Sequence, residues 1–456
     1  MTKSPGTKNG IDMLRGPLAR PMLLFSLPLI ASGILQQSFN SVDVAVVGRF
    51  AGSLALAAVG SNGPVISLLV NMFIGLAVGV NVVIANYIGR NNSRGVGAAV
   101  TASAQLALIG GVALFALAMM ASRPILEVLN TPADVLDQAV LYLRIYSAGM
   151  PFMVIYNFGA AILRSIGDTQ RPFYSLVAAG IVNVGLNFLF VAGMGMDVDG
   201  VAWATVISNI VNAAIITGIL IREQGDIHLD LRAVFGTRPD GSQLRKIAGI
   251  GVPAGLQGTV FAFSNVFILS AINTFGSAGA AGSATAINFE VYCYFVLNAF
   301  GQTAVAFTSQ NYGAGRLDRC RRIFRISLLM AIVSTVALNV LLVWGRYGAI
   351  AIFTDDAEVV RFAAERMLSV LLFQGIACYY EIAGASMRGL GFSMTPALIT
   401  IFGTCVLRLV WVWCFPSSGG SFIRLMMIYP LSWALTDVAM AVAYTRIIRK
   451  LSLDRQ

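Results

Sequence analysis

The chain has 456 residues, 57% of them apolar and only 11% charged, with a mean hydropathy of +0.78. A soluble domain carries roughly a quarter charged residues, so this composition excludes a water-soluble globular protein and calls for lipid as a solvent. The net charge of +10 comes from Lys and Arg scattered over many loops, with no basic patch interleaved with aromatics, which argues against a nucleic-acid partner.

The first ~20 residues are polar and show no secretory signal, and the first apolar run is as long as a span and lacks a convincing cleavage site. Spans are predicted near 21–47, 61–87, 97–121, 137–163, 172–195, 200–221, 247–273, 281–310, 322–344, 361–387, 395–415 and 423–447. Runs such as Ile66–Ala85, Val96–Ala121 and Phe173–Met194 exceed the ~18 residues that separate a spanning helix from a buried core helix. They are unbroken, whereas a lipid-facing strand alternates apolar and polar residues over only ~10 positions. The fold class read here is therefore an all-α polytopic membrane protein with twelve transmembrane helices. One set of loops collects Lys3, Lys8, Arg15, Arg20, Arg90, Arg94, Arg164, Arg171, the 222–246 and Arg316–Arg325 loops, Arg388 and the Arg446–Arg455 tail. The other set holds only Arg49, Arg123, Arg346, Arg361 and Arg424, so both termini are expected on the cytoplasmic side of the inner membrane.

The chain repeats itself at a separation of about 225 residues, pairing Pro28 with Pro253, Asn40 with Asn265, Phe50 with Phe275 and Asn86-Tyr87 with Asn311-Tyr312. The register continues at about 224 for Arg164 with Arg388, Gly167 with Gly391 and Pro172 with Pro396. Six helices per half is an even number, so the two pseudo-symmetric lobes enter the membrane from the same side. The domain reading is a tail at 1–20, an N-lobe at 21–221, a connector at 222–246, a C-lobe at 247–447 and a tail at 448–456. The connector is polar and carries Gly236, Pro239, Asp240 and Gly241, and the lone histidine, His228, falls there as a solvated side chain. Pro28 and Pro253 each remove a backbone hydrogen bond from the first helix of a half, which invites a bend.

An ionisable group inside a span costs a few kcal/mol or more, so each one needs a partner or a task. On the first span Gln36, Asn40 and Asp43 stand at i, i+4 and i+7 on one face, and on the fifth Asn183 and Asn187 stand at i and i+4. Asp43 with these amides offers the oxygen ligands that a dehydrated Na⁺ needs, or an environment that tunes a protonatable carboxylate. The alternative is a wet carboxylate near the outer end of the helix, paired with Arg49. The second half holds Glu290, Glu381, Arg408 and Asp437, and the repeat sets Glu381 at the place of Asn157. Pairing of Arg408 with Asp437 or Glu381 is the bland expectation. Aromatics such as Phe152, Tyr156, Tyr292 and Phe295 offer ring faces to cations, although phenylalanines in membrane helices more often pack. Of the five cysteines, none shows paired metal or redox spacing, and no HExxH, GxSxG or GxxxxGK signature is present, so an enzyme is not expected.

Three stretches carry a family resemblance: Val42-Asp43-Val44-Ala45-Val46-Val47-Gly48-Arg49 with the Leu54–Gly60 run, Leu163–Pro172 (LRSIGDTQRP), and Gln310-Asn311-Tyr312-Gly313-Ala314-Gly315. With these the chain resembles the multidrug and toxic compound extrusion (MATE) family over nearly its whole length, and its DinF-like prokaryotic branch most. The resemblance implies two six-helix lobes forming a V-shaped cavity, with entry of Na⁺ or H⁺ driving organic cations and amphipathic drugs out. It implies a cation-coupling site at Asp43 with Asn157, Asn183 and Thr205 beside it, and substrate contacts at Gln36 and Phe39, next to Asn40. Two departures from the family pattern stand out. Asn187 replaces a second acidic residue found in some members, which makes H⁺ coupling or weaker Na⁺ binding more plausible. Span seven lacks the carboxylate of other branches, which leaves Glu290 and Glu381 as C-lobe candidates on chemical grounds. The working unit implied is a monomer in the bilayer, with small organic cations as partners and no cofactor beyond the coupling ion. A flippase for a lipid-linked or metabolite substrate of the same superfamily is the rival transporter, and a non-transporting scaffold or channel the rival of another class.

Overall fold

The computed structural model describes residues 10–129, 131–414 and 421–454. Lys3, Lys8, Arg455 and residue 415 at the end of the eleventh predicted span lie outside the described residues. A helix stands at every predicted span. They are α1 (Ala19–Ala51), α2 (Leu54–Gly89), α3 (Ser93–Val128), α4 (Ala133–Ser165), α5 (Gln170–Gly193) and α6 (Val198–Arg222) in the first half. The second half has α7 (Gly241–Asn273), α8 (Gly276–Gly313), α9 (Leu317–Trp344), α10 (Ala357–Gly389), α11 (Met394–Cys414) and α12 (Phe422–Leu453). Eleven of them are long and apolar enough to cross a membrane. The remaining one, α8, has 38 residues but is diluted by Asn288, Glu290, Asn298, Gln302 and Gln310. Among the described residues there is no strand.

The polarity of the surface fits lipid. Ile109, Val112 and Met120 on α3, Ile181 on α5, Leu329 and Val333 on α9, and Val438 on α12 are all exposed, a pattern that water would not tolerate over so many helices. The chain divides into two compact units. The first comprises residues 10–15 and Leu27–Gly255, and the second comprises Gly16–Ser26 and Leu256–Gln456. Of the three boundaries, those at Ser26/Leu27 and Gly255/Leu256 fall inside helices, two residues or fewer from Pro28 in α1 and from Pro253 in α7, and none falls in the 222–246 connector. The connector is more ordered than its composition suggests. It holds a short helix, Leu231–Gly236, and Ile227, Leu229 and Val234 are buried in the core of the first unit with Val83, Val100, Phe158 and Ile216. Gln105 of α3 donates to the carbonyls of Val234 and Thr237 at 3.0 and 2.9 Å. His228 is exposed, as expected of a loop residue.

The attachment of Gly241–Gly255 to the first unit has a steric cause. Gly75 and Gly79 on α2 face Gly251 and Gly255 on α7, so both helices present a GxxxG pair. A Cβ on Gly251 would lie 2.6 Å from the Cα of Leu76, and one on Gly255 2.7 Å from the carbonyl oxygen of Met72. Only glycine permits such backbone approach, the usual way to pack helices where lipid removes the hydrophobic drive between them.

The repeat is visible in backbone conformation. Left-handed residues occur at Gly52 (φ 90°) and Gly276 (φ 80°), at Asn91 (φ 53°) and Gly315 (φ 77°), and at Gly167 (φ 89°) and Gly391 (φ 92°), each pair 224 residues apart. These are turn positions that glycine or asparagine fills at little cost. The turns close alike: Asn92 N donates to Tyr87 O at 3.0 Å and Arg316 N to Asn311 O at 2.8 Å. Likewise Asp168 N donates to Leu163 O at 3.1 Å and Phe392 N to Met387 O at 2.9 Å. The structural register at the end of α2 and α8 therefore sets Tyr87 against Asn311, one residue from the sequence pairing of Asn86-Tyr87 with Asn311-Tyr312.

Candidate functional site

In the first unit α1 and α5 meet at polar side chains. Asp43 is half-buried, and Asn187, wholly buried, donates its Nδ2 to Asp43 Oδ1 and also to Asn183 Oδ1 at 3.3 Å. The i, i+4 spacing of the two asparagines gives this relay its geometry, because it sets both amides on the face that α5 turns to α1. The Oδ1 of Asn187 has no hydrogen-bond partner among the described residues. Asp43 forms no ion pair among the described residues, and Arg49 is exposed, so the Asp43–Arg49 pairing is not what the fold builds. Both ends of this site lie where α1 and α5 pass into wider π-helical turns, Val47–Ala51 and Phe188–Gly193, a feature frequent at functional positions.

The other expected residues are placed less directly. Asn157 of α4 donates to Met153 O at 2.9 Å and Thr205 of α6 to Val201 O at 3.1 Å, each within its own helix, which leaves their oxygens with acceptor capacity. Gln36 and Asn40 are exposed on α1. Phe39 packs its ring on Gly180 of α5, where a Cβ would overlap it. On α4, Tyr142 and Tyr146 pair their rings with centroids 5.8 Å apart. Neither tyrosine stands out in the sequence, since aromatics at i, i+4 in a span are ordinarily packing residues.

The second unit holds more charge. Both oxygens of Glu290 on α8 are taken by Arg366 of α10, with Nε to Oε1 at 2.6 Å and Nη2 to Oε2 at 2.9 Å, and Arg366 also reaches Ser283 at 2.8 Å. This is a bidentate pair of the strong kind. The sequence reading does not single out Arg366, although it lies inside the span predicted at 361–387, and counting every basic residue in that window finds it. Glu381 is half-buried beside Gly301 and makes no ion pair among the described residues. The expected pairing of Arg408 with Asp437 or Glu381 is corrected: Asp437 Oδ1 accepts the backbone N–H of Tyr380 at 2.8 Å, and Arg408 Nε donates to Ser432 Oγ at 3.2 Å. Helix α10 is also irregular between these groups, with a π-helical segment Met367–Leu371 and a 3-10 segment Gln374–Ala377 whose Gln374 donates to Glu290 O at 3.2 Å. Cys293, Cys320, Cys378 and Cys405 are buried as fillers, and Cys414 is exposed. Among the described residues no group of three or more His, Cys, Asp or Glu side chains is gathered as a metal cluster would require.

An internally duplicated bundle of long apolar helices, with a carboxylate set among amides inside one of its units, defines the class of polytopic transport proteins. The MatE family profile matches residues 28–189 and again 253–414, two segments offset by 225 residues at both ends, and the chain belongs to the MATE family. It is 27% identical over 388 residues to the probable multidrug resistance protein YoeA of Bacillus subtilis, covering 84% of each chain. It is 25% identical over 405 residues to the probable multidrug resistance protein NorM of Thermotoga maritima, covering 86% of this chain and 84% of that one. A FAD transporter of Shewanella oneidensis is 25% identical over 359 residues, 78% of each chain. The fold superposes on the crystal structure of MATE in the bent conformation with a TM-score of 0.90 at 21% identity, covering 98% of this chain and 99% of that one.

Proposed function

We propose that this chain is a secondary active exporter of organic cations and amphipathic drugs, driven by exchange for H⁺ or Na⁺ at the Asp43 cluster. One observation carries the reading: an aspartate inside an apolar span has no ion-pair partner among the described residues and rests only on the amide of Asn187. A carboxylate in that setting is costly unless a cation visits it. The oxygens of Asp43, Asn183, Asn187, Asn157 and Thr205 are hard donors suited to Na⁺, and the carboxylate alone suffices for H⁺. A cation entering from outside neutralises Asp43 and lowers affinity for a cationic drug, and drug arriving from inside displaces it. Gln36, Phe39 and Asn40 on the same helix serve as substrate contacts, Pro28 and Pro253 as bending points, and Glu381 as the C-lobe candidate left available once Arg366 occupies Glu290. The relatives named as multidrug resistance proteins support the drug class. The relative named as a FAD transporter favours a metabolite as the second reading. The distribution of Lys and Arg supports an inner-membrane protein with both termini cytoplasmic, and the working unit we propose is a monomer.

Ethidium efflux from cells or vesicles tests the proposal, with ΔpH and the Na⁺ gradient collapsed separately to name the ion. Asp43→Asn is expected to abolish gradient-driven efflux while the protein remains folded in the membrane. Undiminished efflux by that variant overturns the coupling role.

A further inference from the structure

Arg408 is a buried charge of the second unit that forms no ion pair among the described residues. Its side chain on α11 is fully buried, and neither Nη1 nor Nη2 has a hydrogen-bond partner. Among the described residues no acid forms an ion pair with it. Glu290 is held by Arg366, Asp437 accepts from Tyr380, and Glu381 makes no ion pair with it. The basic side chain that shares its surroundings is Arg366, whose guanidinium carbon lies 5.2 Å from the Tyr429 ring centroid, against 4.3 Å for Arg408. Arg366 and Glu290 cancel, so one positive charge remains without a counter-charge within an apolar span.

Around that charge stand three aromatic rings, Tyr429 at 4.3 Å, Phe261 at 5.4 Å and Trp433 at 6.0 Å from the guanidinium carbon to the ring centroids. Ring faces offset part of the cost of burying a cation but satisfy none of its N–H donors. A carboxylate would accept from both Nη atoms in the forked geometry that guanidinium favours, while an aromatic body attached to it would find ring faces alongside. A single negative charge balances the site, whereas a phosphate dianion over-neutralises it and an organic cation is repelled. The arginine lies two residues beyond the π-helical segment Ile401–Val406, a wide turn of a kind frequent at functional positions.

We propose that Arg408, with Phe261, Tyr429, Ser432 and Trp433, forms a binding site for an aromatic monocarboxylate. This goes beyond the cation-exchange reading, since it adds an anionic recognition element in the opposite half of the chain.

Binding of 1-naphthoate to the purified full chain, read by equilibrium dialysis and thermal unfolding, tests it against methyl 1-naphthoate and 1-naphthylmethylammonium. The acid is expected to bind saturably, and the ester and the amine about tenfold more weakly or worse, the scale of losing charge-assisted hydrogen bonds. Arg408→Met should lose the preference for acid over ester, and Arg408→Lys, which keeps the charge without the fork, should fall between. Equal affinity for acid and ester in the wild type overturns the proposal, as does unchanged naphthoate binding by Arg408→Met. If Arg408→Met does not fold, the wild-type comparison decides alone. Arg408-dependent stabilisation by phosphatidylglycerol vesicles without naphthoate binding assigns the charge to a lipid headgroup and also overturns it. Asp43→Asn should still bind naphthoate, so failure of this site and failure of the coupling site are separable.

Discussion

At the scale of residues, the two units treat buried charge in opposite ways. Asp43 has no ion-pair partner among the described residues, whereas Glu290 is locked by Arg366, which is only 2% exposed. Breaking such a pair from one side strands a charge and costs about 3–5 kcal/mol, while replacing both partners by apolar residues is often neutral. Glu290→Leu and Arg366→Met are each therefore expected to destabilise the protein strongly, and the two together to recover most of the loss. Thermal unfolding of the two single variants and the pair in detergent reads this coupling; additive losses would instead make Glu290 a group that works without Arg366. A second residue-scale expectation concerns the amide relay. Asn187→Leu removes the donor to Asp43 while keeping volume, so ion-coupled efflux should fall although the helix still packs, and wild-type ion dependence in that variant would remove Asn187 from the site. The Asp43–Asn187–Asn183 chain was legible in the sequence because carboxylates and amides are rare in apolar spans and their i, i+4 spacing fixes a face. Arg366 itself was within reach of a count of basic residues over its span, but its pairing was not, because Glu290 lies 76 positions away on another helix.

At the scale of elements, helix positions could be read from apolar run length, and helix contacts could not. The spans are set by a local property, but the contact of α2 with α7 depends on two GxxxG pairs that only the fold brings face to face. Gly251 sits against the backbone of Leu76, whereas a Cβ on Gly249 of the same helix meets nothing within 4 Å. Gly251→Val should thus cost on the order of 1–3 kcal/mol through overpacking, and Gly249→Val very little. Unfolding midpoints of the two variants decide the matter; equal effects would attribute the loss to helix propensity. The same locality explains why the connector misleads as sequence: its polar majority hides Ile227, Leu229 and Val234, which anchor it in the core of the first unit.

At the scale of the whole molecule, duplication supplied one scaffold and divergence two chemistries. Matching left-handed turns at Gly52 and Gly276, Asn91 and Gly315, and Gly167 and Gly391 show how much backbone survives between halves whose side chains at the key positions differ. The half that begins with Asp43 carries one carboxylate among amides; the other carries Glu290 neutralised, Arg408 unbalanced, and Glu381 and Asp437 apart from them. A cation that drives exchange lowers its free energy most where negative charge has no fixed partner and no neighbouring arginine, which favours the first half. Asp43→Asn is accordingly expected to reduce gradient-driven ethidium efflux by at least about tenfold, and Glu381→Gln by less than about threefold, a difference near 0.7 kcal/mol or more in driving interaction. Measured side by side at matched expression, equal losses in the two variants would place coupling in both halves and remove the asymmetry on which this assignment rests.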